Sequence, residues 1–101
     1  MSEQLPNQAH FSFEEQQTAG EADVIINGEE VNMLHAQFKD PNTEFDISIE
    51  DMAGNVQYEQ KGCKNPSGRW GERIDLPVVD SYYKVRLSNV KSAESIDVFL
   101  E

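Results

Sequence analysis

Few side chains in this sequence have chemistry beyond packing: one cysteine (Cys63), two histidines (His10 and His35) and nineteen acids. A thiol nucleophile needs its proton drawn off by a neighbouring base. Lys61 and Lys64 flank Cys63, but nothing in the spacing sets His35 beside it, so Cys63 reads as an exposed loop cysteine, incidental or linked to a partner, without a catalytic role. A single cysteine also rules out an intrachain disulfide and a multi-cysteine zinc site. His10 and His35 lack the close-spaced partner that a transition-metal site favours and read as ordinary strand-face residues. No Gly-x-Ser-x-Gly elbow occurs, and Pro66-Ser67-Gly68 does not make one. Gly62, Gly68 and Gly71 are too scattered for a phosphate loop. The many acids suggest no pair converging in one cleft with a raised pKa. No catalytic residues are expected, and the chain reads as a non-enzyme.

Two acidic turns are more specific. Asp40, Asn42 and Glu44 surround Pro41, and Glu50, Asp51 and Asn55 flank Met52-Ala53-Gly54. Calcium takes about six to eight oxygens from carboxylates, amides and carbonyls, so Asp40, Asn42 and Glu44 form the candidate metal site, with calcium as its ion. No other cofactor is expected. The competing and favoured reading is that each cluster caps its own turn through Asx-type hydrogen bonds. Among aromatics, Trp70 beside Arg69, together with Tyr82 and Phe99, are the candidate partner-binding residues, since flat rings with polar tips suit interfaces. Trp70 is more readily a plug between two sheets. Tyr82 and Phe99 fall out of phase with the inward set and are expected to share an outer contact patch on neighbouring strands.

The elements that must position these residues announce themselves by period two. Phe45, Ile47 and Ile49 alternate with Glu44, Asp46, Ser48 and Glu50. Tyr83, Val85 and Leu87 alternate with Tyr82, Lys84 and Arg86, and Ile96, Val98 and Leu100 with Ser95, Asp97 and Glu101. Weaker strands fit Phe11 and Phe13, Ala22 to Ile26, Leu34 to Phe38, Val56 with Tyr58, and Trp70 to Leu76, where Glu72 breaks phase and suggests a bulge or an edge strand. Asn27-Gly28 suits a tight hairpin, and Lys61 to Gly68 reads as the longest loop. Val31, Leu34, His35 and Phe38 also satisfy helical spacing, but strands on both sides favour strand. The expectation is an all-β, antiparallel fold with seven to eight strands, the pattern of a sandwich or barrel. Residues 1–9 read as a flexible N-terminal arm and 10–101 as a single domain, with no internal repeat.

The run Asp46-Ile47-Ser48-Ile49-Glu50-Asp51-Met52-Ala53-Gly54-Asn55-Val56-Gln57-Tyr58 resembles a hairpin of bacterial immunoglobulin-like and fibronectin-type-III-like domains. The stretch from Trp70 through Leu76-Pro77 to Asp80-Ser81-Tyr82-Tyr83-Lys84-Val85-Arg86-Leu87-Ser88-Asn89-Val90 resembles the final hairpin region of the same group. The likeness spans Phe45 to Leu100. It departs at Val78-Val79-Asp80, where many such domains turn on glycine, and in lacking an inter-sheet cysteine pair. It implies an all-β, antiparallel two-sheet β-sandwich of the immunoglobulin-like kind with seven to eight strands, and a bacterial surface or lipoprotein setting, and no activity.

Charge narrows the partners. With nineteen acidic and eight basic residues the formal charge is −11, which repels nucleic acid phosphates and anionic lipid. No direct nucleic acid binding and no membrane insertion are expected. The N-terminus lacks a basic region followed by an apolar one, so no signal peptide is read, and a cytoplasmic setting stays open beside the extracellular or envelope one. The functional expectation is a binding or display module for a protein or glycan partner, contacted through loops Lys61–Gly68 and Asp40–Glu44. Its alternatives are an acidic inhibitor that mimics nucleic acid or binds a basic partner, and a calcium-binding sandwich.

Overall fold

The computed structural model describes residues 7–26, 30–78, 82–92 and 95–101. Eight strands follow in order: β1 (Gln8–Ser12), β2 (Gly20–Ile25), β3 (Val31–Gln37), β4 (Glu44–Glu50), β5 (Val56–Lys64), β6 (Arg69–Leu76), β7 (Tyr82–Lys91) and β8 (Ser95–Leu100). The alternation in β4 and β8 survives residue for residue. Phe45, Ile47, Ile49, Ile96, Val98 and Leu100 are all buried, with their polar neighbours facing out. Val31 to Gln37 is strand, as its flanks favoured. The first strand starts earlier than expected: Gln8 pairs with Phe99, and Ala9, opposite Val98, is buried. Residues 8 and 9 therefore belong to the sandwich and not to an arm. The Asn27-Gly28 turn lies outside the described residues.

The strands form two antiparallel sheets, β1-β8-β3-β6 and β2-β7-β4-β5. Their inner faces share one core, in which Leu34, Ile47, Tyr83, Val85 and Val98 are almost wholly sealed from water. This is the expected two-layer sandwich. Its connectivity is that of an eight-stranded jelly roll. The chain changes sheet at nearly every connection, and among the described residues β4–β5 is the one hairpin of consecutive strands. An immunoglobulin sandwich would instead pair its first two strands in one sheet. The final hairpin implied by the resemblance does not form, because β7 pairs with β2 and β4 while β8 pairs with β1 and β3.

Two β-bulges re-aim side chains. Opposite the Glu44–Ile47 stretch of β4, both flanking strands carry an extra residue, and the irregular positions are Gly62 (φ 65°) in β5 and Asn89 (φ 49°) in β7. A left-handed residue in a bulge reverses the in–out phase beyond it. Cys63 thereby faces Phe45 and is 2 % exposed, and Val90 turns inward beyond Leu87. The exposed-loop reading of Cys63 is thus corrected: Gly62 belongs to a bulge, β5 continues to Lys64, and the true connection is only residues 65–68. Glu72 lies on edge strand β6, as one reading of its phase break held; it pairs with Leu34, and the register shift against β3 falls beyond it, between Val31 and Met33.

Candidate functional site

The strand directions gather four connections at one end of the sandwich: residues 13–19, 38–43, 65–68, and the β7–β8 turn beginning at Ser92. Hydrogen bonds brace them to one another. Val90 N–H donates to Thr18 O at 2.9 Å, and Phe38 N–H to Gly68 O at 2.9 Å. The buried Thr43 hydroxyl donates to Ser92 O at 3.4 Å. Glycine is required at 68 because φ is +84° and a Cβ there would lie 2.6 Å from Phe38 O. Beneath these loops the rings of Phe38, Phe45 and Trp70 meet edge to face, at 5.9 Å and 5.8 Å between centroids. A packed aromatic floor with cross-braced loops is a preorganised surface, which lowers the ordering cost of binding.

Clefts open between the loops. The first, about 770 Å³, is lined by Phe13 to Thr18 with Asp40, Val90 and Ser92. A second, about 510 Å³, runs between Pro41–Glu44 and Lys64–Pro66. The third, about 240 Å³, lies on the outer side of the β1-β8-β3-β6 sheet and is lined by Gln37, Phe38, Lys39, Ser67, Gly68, Arg69, Ser95 and Asp97.

Next to the third cleft, pairing of β1 with β8 places His10 beside Asp97. His10 Nδ1 is hydrogen-bonded to Asp97 Oδ1, and its Nε2 lies 3.1 Å from Ser12 Oγ. The connectivity is that of a Ser–His–Asp relay. It sits on a strand face open to water, with the His10 side chain 58 % exposed. Relay catalysis draws much of its power from donors held in a water-excluded site. Further along the face His35 pairs with Glu101 at 3.1 Å and meets the Phe99 ring edge to face, with 6.1 Å between centroids. Sequence reading missed this cluster, because the in–out parity of each strand was legible but the β1–β8 and β3–β8 registers were not.

The residues singled out beforehand separate accordingly. Arg69 and Phe99 lie on the outer side of one sheet, whereas Tyr82 lies on the outer side of the other. A shared Tyr82–Phe99 patch is therefore overturned: β7 and β8 are not neighbours. Trp70 turns inward, half-buried against Phe45, as the plug reading held. Asp40 Oδ1 accepts Asn42 N–H at 2.8 Å, making the Asx turn, and Glu44 pairs with Lys91 at 3.5 Å. Among the described residues no three His, Cys, Asp or Glu side chains converge as a metal would need. Asp51 likewise accepts from Ala53 N–H, Asn55 N–H and Gln57 Nε2, and these bonds, led by Asn55 N–H, hold its carboxyl below the usual range. Burial pushes the Cys63 thiol up to about 12, with Asp46 and Glu72 adding to the effect, so it stays protonated and poorly nucleophilic at neutral pH.

No family model and no curated protein matches the sequence. Among solved structures, the crystal structure of PirA superposes with a TM-score of 0.54, covering 100% of this chain and 99% of that one at 12% identity. At such identity the likeness concerns the fold alone. A chain from infectious bursal disease virus, Gx strain, matches with a TM-score of 0.37 at 9% identity, over 92% of this chain and 29% of that one. That match is too loose to carry an argument.

Proposed function

We propose that this domain is a non-enzymatic recognition module that grips a protein or glycan partner with the braced loop end of the sandwich. One observation carries the reading: three clefts open among connections that are tied together by backbone bonds and set on an aromatic floor. Rigid scaffolds place binding residues on such loops. The protonated, buried Cys63 and the water-exposed His10 relay favour binding over chemistry. An envelope or secreted bacterial setting is proposed from the sequence resemblance only, and the encoding gene tests it through the presence of a leader with a lipobox cysteine.

The binding reading is tested on the immobilised domain with arrays of glycans and of surface proteins. A loop-end variant (Asn42→Ala, Lys64→Ala, Ser67→Ala combined) should lose the partner. Lys84→Ala with Glu59→Ala, on the outer face of the other sheet, should keep it. The reverse pattern overturns the proposal. Hydrolysis is tested separately with p-nitrophenyl acetate. The domain should act no faster than an equal concentration of free imidazole, and Ser12→Ala should change nothing.

A further inference from the structure

We infer that the cleft between the β3–β4 and β5–β6 loops on the outer side of the β1-β8-β3-β6 sheet is a subsite for an oxyanion, the terminal carboxylate, phosphate or sulfate of a ligand. The inference rests on the recognition reading above and gives it a chemical class. The chain has only eight basic residues against nineteen acids. Of these, Lys39, Lys61, Lys64, Arg69 and Lys91 sit in or beside the loop end. Lys91 is taken by Glu44, and on the other sheet Arg86 is held between Glu21 and Glu50. Lys39 and Arg69 have no ion-pair partner among the described residues, and both line this one cleft. Lys61, Lys64, Arg73 and Lys84 are likewise in none of the ion pairs above, but in so acidic a protein two cations sharing one small cavity concentrate positive potential there.

The remaining lining suits an acceptor-rich guest. Gln37 and Ser95 bring an amide and a hydroxyl that can donate, while the Ser67 hydroxyl donates to Arg69 O at 3.4 Å, and a guanidinium presents a planar fork that matches two oxygens of a carboxylate, phosphate or sulfate. The cleft contains one carboxylate, Asp97, whose Oδ1 is already engaged by His10 Nδ1. Its floor is fixed, because Gly68 is pressed against Phe38 O and the Phe38 N–H is bonded to Gly68 O. Arg69 and Lys39 therefore leave the two ends of a rigid joint, not two independent loops.

The test is a titration of the isotope-labelled full chain with inorganic phosphate, sulfate and acetate, each against sodium chloride at matched ionic strength, followed by amide shifts. Saturable shifts at Gly68, Arg69 and Ser95 are expected, and the anion giving the tightest curve identifies the oxyanion. Arg69→Ala and Lys39→Ala should each weaken it about tenfold, the worth of one charge-assisted hydrogen bond. Asp97→Asn should tighten it by removing a like charge, and Lys84→Ala should leave it unchanged. Shifts that stay linear to high concentration, or that saturate equally in Arg69→Ala, overturn the subsite. Loss of the array partner in the loop-end variant with no oxyanion response would sink this inference alone. An oxyanion response with partner capture intact in that variant would sink the recognition reading instead.

Discussion

Replacing Asp46 with alanine removes the acceptor shared by two strands. Its Oδ1 takes Gly62 N–H at 2.9 Å and its Oδ2 takes Asn89 Nδ2 at 2.7 Å, so one carboxylate pins the bulges on both sides of β4. The expected loss is about 1 kcal/mol, below the usual range for hydrogen bonds to a charged group because water screens the site, read as a shift in the urea midpoint. The Asn89 bond, then the Gly62 bond, holds the Asp46 carboxyl below its ordinary 3.8. A folded-state pKa below the unfolded one gives stability that is fully present above 3.8 and disappears as pH falls through the lowered value. Urea midpoints should therefore drop more steeply with acid in the native chain than in Asp46→Ala. Cys63 makes the opposite case. With its thiol pushed up to about 12 and its side chain sealed, iodoacetamide should label the native protein far more slowly at mildly alkaline pH than the urea-unfolded chain. Equal rates would return Cys63 to the surface. The burial of Cys63 was not legible in advance, since Lys61-Gly62-Cys63-Lys64 has the composition of a loop. What decides it is the left-handed Gly62, a conformational event that composition does not reveal.

At the scale of elements, the turns show which glycines are structural. Gly68→Ala meets both a left-handed φ of +84° and a backbone oxygen at 2.6 Å, and should cost about 2 kcal/mol or more while displacing the loops on either side of the oxyanion cleft. Gly54, with φ +87° but nothing within 4 Å of a new Cβ, should cost only the backbone penalty of about 1 kcal/mol. Thermal melts of the two variants rank them, and equal melting temperatures would refute the brace. The Asp51–Asn55 turn was legible because Asp and Gly at those spacings have one good local solution, which the structure adopts. The phases of β4, β7 and β8 were legible for the same local reason. Val56 was not. It pairs with the outward Glu50 while Tyr58 pairs with the inward Ile49, because the register slips between them, leaving Val56 54 % exposed.

For the whole molecule, local signals ran out at the point where strands choose partners. Alternation says that a strand has an inner face, but it is silent on which sheet receives it. In a jelly roll the partners are distant in sequence: β1 with β8, β2 with β7, β3 with both β6 and β8. That is why the two-layer class was readable and the order was not, and why Tyr82 and Phe99 were assigned to one patch while occupying opposite outer faces. The same topology bears on calcium. Asp40 is spent on its own turn and Glu44 on Lys91, so the melting temperature should be the same with added calcium and with a chelator. A rise of several degrees with calcium would show that these acids rearrange around an ion.

Pairing Gln8 with Phe99 has a practical corollary. The chain enters β1 and leaves β8 side by side, at the pole farthest from the clefts. A bead, a dye or a fused carrier joined next to the start of β1 or the end of β8 would sit at that pole, with the loop end pointing away from it. The domain can thus be mounted by the tail without blindfolding it.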